Sequence, residues 1–210
     1  KVELLIASMN TEARGLVPIA GYPVARTNDE EKLDLALVRL PQSAIEALAP
    51  VKRFVRPSEL DLGHAMPQGR YYIAGYPLQL TQTDNAAKRI TPGTFTKATH
   101  LGISGRAHPG ISIVLAHGKD SITLSGDGER ARAPSLNGIS GCGIWRLWAN
   151  QQFPHLAEWD ESWIRLSGIE HGLVEDVIVG TIASHILKLL ILTYPMELTI
   201  TRDGVSFQPS

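Results

Sequence analysis

Short β-branched runs, cut repeatedly by glycine and proline, constrain this chain more than any other feature. No long amphipathic helix separates one run from the next, so antiparallel barrels fit better than βαβ units. The pattern predicts strands at 2–7, 16–20 with 23–26, 34–40, 70–76, 90–99, 111–116, 121–124, 143–148 and 174–186. Residues 43–48 read as one or two helical turns. Trp159 and Trp163, at i and i+4, mark a short helix in the segment that follows. At the tail, an Asp203-Gly204 turn between 197–200 and 205–207 reads as a hairpin. The polar stretches 66–68 and 81–87 suit a joint between two lobes, 1–68 and 69–210.

Bulk properties narrow the class further. A chain of 210 residues can bury a substantial core. Its formal net charge of −1, with both signs interleaved, gives no basis for nucleic acid or an anionic membrane as partner. The most apolar window, 177–192, is interrupted by Ser184, His185 and Lys188 and is too short and polar to span a bilayer. A single cysteine, Cys142, excludes an intramolecular disulfide framework and suits a reducing compartment. There is no secretory leader at Lys1, so the expected location is the cytoplasm. No histidine pair has metal-ligand spacing, and neither a metal nor another cofactor is expected.

The chemistry concentrates in Gly138-Ile139-Ser140-Gly141-Cys142-Gly143. A serine on a glycine-flanked turn feeding a strand can lift its hydroxyl clear of the sheet. The same turn can leave the N–H groups of Gly138 and Ser140 pointing together, as an oxyanion hole. Glycine and serine are also ordinary turn residues, and Gly102-Ile103-Ser104-Gly105 repeats the same letters. A second signal is Asp34, which leads straight into the alternating apolar strand 35–40. Buried there it would need a partner; alternatively it ends the acidic loop Asp29-Glu30-Glu31 and faces water.

Four segments occur in the order seen in trypsin-like serine peptidases: Asp34 to Leu40, Tyr72-Ile73-Ala74-Gly75-Tyr76-Pro77, Gly138-Ile139-Ser140-Gly141, and Val179-Gly180-Thr181-Ile182-Ala183-Ser184. The chain resembles that family, in a divergent bacterial form, over most of 34–186. The register selects Ser140 over Ser104. The resemblance implies an all-β fold of two antiparallel six-stranded barrels, with the first incomplete in this chain. It implies Ser140 as nucleophile, Asp34 as the carboxylate orienting a catalytic histidine, and Gly138 and Ser140 N–H groups as the oxyanion hole. Ala183, Ser184 and His185, as a strand, would line the substrate's first pocket, with 134–137, including Asn137, as the other wall. The implied activity is hydrolysis of peptide bonds in a protein or peptide substrate.

Three departures stand beside the resemblance. The family's histidine precedes its aspartate, yet His64, His100, His108, His117, His155, His171 and His185 all follow Asp34. Only two strands precede 34–40, so an N-terminal segment, fused or separate, is expected to supply both the missing strands and the histidine. The rival is a degenerate, inactive relative that serves as a peptide-binding module. Ile139 occupies the place where secreted enzymes carry an acid that pairs with a newly cut N-terminus, which excludes that mode of activation. Cys142-Gly143 replaces the usual Gly-Pro; Cys142 reads as a small buried filler. His185 reads either as a pocket residue or as a strand histidine with a satisfied hydrogen bond. With Pro134 near the position of a trypsin-like acid, the pocket is expected to lack one there.

Overall fold

The computed structural model describes residues 2–8, 15–26, 35–50, 53–63, 69–86, 89–91, 95–102, 108, 110–118, 122–124, 130–132, 135–147, 163–174, 176–194, 198–201 and 204–207. Asp34, Ser104, His64, His155, Pro134 and Trp159 lie outside these residues.

The chain is mostly β, with two short α-helices among the described residues. The first part holds β1 (Val2–Ser8), β2 (Gly15–Arg26) and β3 (Ala36–Arg39), which form a three-stranded antiparallel sheet, followed by α1 (Gln42–Leu48). Then come β4 (Arg70–Gly75), β5 (Gln82–Asp84), β6 (Arg89–Thr91), β7 (Phe95–Thr99), β8 (Ser112–Ala116), β9 (Ile122–Leu124) and β10 (Arg130–Arg132). The last elements are β11 (Gly143–Leu147), β12 (Ile164–Val174), β13 (Val177–Ile182), α2 (Ala183–Thr193), β14 (Leu198–Thr201) and β15 (Gly204–Phe207).

Six strands make the main sheet, in the order β7-β4-β11-β12-β13-β8, every pair antiparallel. The sheet curls until its edges meet. Beyond β7 the chain continues to Leu101, which bridges Leu115 of β8. Ala116 N–H donates to His100 O and Gly102 N–H to Val114 O, both at 2.9 Å. Stitching the edges removes unpaired backbone groups that would otherwise be exposed. Read around this curled sheet, β11, β4, β7 and β8 stand in the 4-1-2-3 order of a Greek key. Two antiparallel hairpin steps, β11 to β12 to β13, complete the circuit.

Period-two alternation fills the interior. Tyr71 and Ile73 of β4, Phe95 of β7, Ile113 and Leu115 of β8, Ile144 of β11 and Ile178 of β13 are buried in one cluster with Leu136 and Ile139. Each large side chain so buried contributes about 1.5–3 kcal/mol. Outward residues of the same strands, Tyr72, Ala74, Thr96 and Trp145, line a separate cavity of about 610 Å³ with Arg53, Glu59 and Ile164.

Three expectations need correction. The strand expected at 174–186 is instead the end of β12, then β13, then a helix from Ala183. Ile186, Leu187, Leu190 and Ile191 recur at helical spacing, and the leucines and Lys188 are good helix formers. The run 90–99 splits into β6 and β7. Residue 163 leads into the long strand β12, where no strand was expected. Gly168, Glu170 and Gly172 break its apolar alternation and hide it, and its register shifts between Glu170 and Gly172. The tail hairpin is present, pairing Thr201 with Gly204.

One charged side chain inside the sheet meets a buried counter-charge. Arg146 of β11 and Asp61, 2 and 3% exposed, meet at 2.7 Å, and Ser167 Oγ donates to the other Asp61 oxygen at 2.8 Å. Asp61 N–H donates to Leu166 O at 2.8 Å, which fixes the segment before β4 to β12. Removing one member strands the other charge in an apolar interior. Asp61→Ala and Arg146→Ala are each expected to cost about 3–5 kcal/mol in denaturant unfolding, and the double variant Asp61→Leu, Arg146→Met much less than the sum. Additive losses would contradict the pairing.

Candidate functional site

The turn that precedes β11 is built by its own backbone. Gly138 and Gly141 both have φ of +91°, a conformation that costs little only without a side chain. At Gly138 the space is closed as well: a Cβ would lie 2.5 Å from Leu78 Cγ. Between the two glycines, Ile139 turns inward and is 3% exposed in the core, while Ser140 faces out. The missing acid at position 139 thus has a structural counterpart. An apolar side chain there anchors the turn to the sheet.

The hydrogen bonds along this turn follow a pattern. Ser135 N–H donates to Gln79 Oε1 at 2.6 Å and Asn137 N–H to Ser135 Oγ at 3.4 Å. Ile139 N–H donates to Leu136 O, Gly141 N–H to Glu170 O at 2.7 Å, and Cys142 N–H to Ile139 O at 2.9 Å. Asn137 O is occupied by Leu78 N–H at 2.8 Å. Among the described residues no acceptor meets the N–H of Gly138 or of Ser140. Both residues are exposed. Two free amides, flanked by committed ones and set on either side of Ile139, can receive an anion or a developing oxyanion. Ser140 Oγ likewise has no hydrogen-bond partner among the described residues, the described histidines included.

The other expected site residues fall as follows. Asp34 lies outside the described residues. Asn137 is exposed on the turn itself. Ala183, Ser184 and His185 open α2 rather than forming a pocket-lining strand. Ala183 is fully buried; His185 Nε2–H donates to Gly110 O at 3.1 Å, while its buried Nδ1 has no hydrogen-bond partner among the described residues. The strand that does run beside the turn is β12, at Glu170, His171 and Gly172. Its one advance signal was a lone acid among apolar residues, Ile169-Glu170.

Glu170 is 3% exposed, and its Oε2 has no hydrogen-bond partner. Loss of water pushes its carboxyl up to about 7, opposed in part by the Gly172 main-chain N–H. Burial, with the nearby Glu170 charge, pushes the Cys142 thiol up to about 12, which keeps it protonated and a weak nucleophile. Among the described residues no cluster of three or more His, Cys, Asp or Glu side chains is placed to hold a metal ion. No described helix is long and apolar enough to cross a membrane. No protein-family model matches the chain, and no curated protein matches it either.

Gly138→Ala tests the turn directly. Strain at φ +91° and the contact with Leu78 are expected to cost about 1–3 kcal/mol in denaturant unfolding. Leu78→Ala in the same chain should restore only the part due to the contact. A neutral Gly138→Ala would show that the turn is not fixed as described.

Proposed function

We propose that this protein is a serine endopeptidase of the trypsin-like type, cytoplasmic and bacterial, acting on a protein or peptide substrate. The observation behind this reading is the pair of unpaired amides, Gly138 and Ser140, on the turn that exposes the Ser140 hydroxyl. The Greek-key order of the curled six-stranded sheet supports it, since the nucleophile turn feeds that sheet at β11. In the full reading this sheet is the second of two barrels, β1 to β3 belong to the first, and the substrate lies between them.

Ser140 Oγ attacks the scissile carbonyl carbon as its proton passes to a histidine held by Asp34. The carbonyl oxygen, now negative, is met by the two amides, each donor worth about 10²–10³ in rate. The carbon–nitrogen bond breaks, the amine leaves with that proton, and water releases the acyl group from Ser140. In this reading the histidine is supplied from outside the described residues. No metal or cofactor enters the reaction. All seven histidines follow Asp34, against the family's order, which favours a second reading, a peptide-binding module that uses the same turn without turnover.

A fluorophosphonate probe separates the two. The full-length protein is expected to acquire one adduct, on Ser140, lost in Ser140→Ala. A folded protein that stays unlabelled from pH 6 to 9 would remove the peptidase reading and leave the binding module.

A further inference from the structure

The sheet interior near the turn holds a charged group that the proposed chemistry does not use. Glu170 shares the inward face of β12 with Gly168, and its partner across the ladder on β13 is Gly180, which offers no side chain. Ile139, Cys142 and Gly75 close the same end, with Ile139 Cβ and Cys142 Cβ both near Gly75. Among the described residues the titratable group facing Glu170 from the turn is Cys142; β13 and β4 contribute only glycine there. His171 is its neighbour on β12 itself. This contrasts with Arg146, three residues beyond Gly143, whose charge is met by Asp61.

The main chain of Glu170 also grips the turn from both directions. Its carbonyl accepts from Gly141 N–H at 2.7 Å, and its N–H donates to Cys142 O at 2.9 Å. The residue whose buried Oε2 has no hydrogen-bond partner is therefore the one that holds the backbone on the C-terminal side of Ser140. We propose that Glu170 is a positioning residue of the Ser140 turn: protonated, its buried carboxyl lets β12 hold Gly141 and Cys142, and ionised, it loosens that hold. Placed in this way, Glu170 would regulate how well the Gly138 and Ser140 amides are set. The inference deepens the proposed function, since the regulated site is the same.

The sign follows from proton linkage. An acid whose closed-state value is raised binds more protons when the turn is closed than when it is open. Closure is therefore strongest in acid, weakens as pH rises from the ordinary carboxylate range to about 7, and changes no further above that. Cys142 stays a thiol throughout this range and does not contribute.

The test is amide hydrogen exchange of the full-length protein followed by NMR, with rates corrected for intrinsic base catalysis. Protection of the Gly141 N–H should fall between pH 5 and 7, by up to roughly tenfold per unit, then level off. Glu170→Gln, neutral and of the same shape, should flatten the profile at high protection. A flat wild-type profile, or the same fall in Glu170→Gln, overturns the proposal; the wild-type profile decides even if the variant does not fold. Fluorophosphonate labelling runs in parallel. A normal exchange profile with no labelling would keep the brace and discard the peptidase reading, while labelling with a flat profile would do the reverse.

Discussion

Two main-chain hydrogen bonds between Glu170 and the turn, 2.7 Å from Gly141 and 2.9 Å to Cys142, fix the one feature on which the proposed chemistry depends. They join the segment around Ser140 to the middle of a six-stranded sheet. Ile139, driven into the core beside Tyr71, Ile73 and Phe95, holds the turn from beneath. Gly138 and Gly141 supply backbone conformations that other residues adopt at a cost. Once these are set, the amides of Gly138 and Ser140 have no partner among the described residues. An exposed unpaired amide costs little because water satisfies it, and that same accessibility is what an oxyanion requires.

The interior of the sheet treats its two charges differently. Arg146 and Asp61 form a buried pair that also docks the segment before β4, so desolvation is offset by an ion pair and by Ser167. Glu170 has no such partner, and it lies against the turn. A residue kept for stability alone would be better replaced by an apolar side chain of the same volume. Its position beside Ser140 gives the exception a reason.

How much of this was legible beforehand depended on whether local signals agreed with tertiary demand. The strands at 70–75, 112–116 and 143–147 stood out because alternation and burial coincide there. The Ser140 turn was legible because positive φ leaves a mark in sequence, namely glycine. β12 was not, because a glycine and an acid on its inward face, Gly168 and Glu170, and a register shift before Gly172 erase the alternation, and only the neighbouring strands make an extended chain favourable there. Helix α2 was missed altogether, its start having been read as strand, for a related reason. Val177–Ile182 and Ala183–Thr193 form one apolar run, and the change of period from two to 3.6 falls inside it. Ala183, Ser184 and His185 were therefore placed on the wrong element, while Glu170 went unmarked beside the Ser140 turn.

The central claim is geometric: the turn presents two free amides to an oxygen bonded next to Ser140. The most direct measurement is a crystal structure of the full-length protein with a peptide boronic acid. The expected result is a tetrahedral boronate on Ser140 Oγ with one boron oxygen within hydrogen-bond distance of both the Gly138 and Ser140 nitrogens. A boronate whose oxygens both face solvent, with the Gly138 N–H bonded elsewhere in the chain, would contradict it.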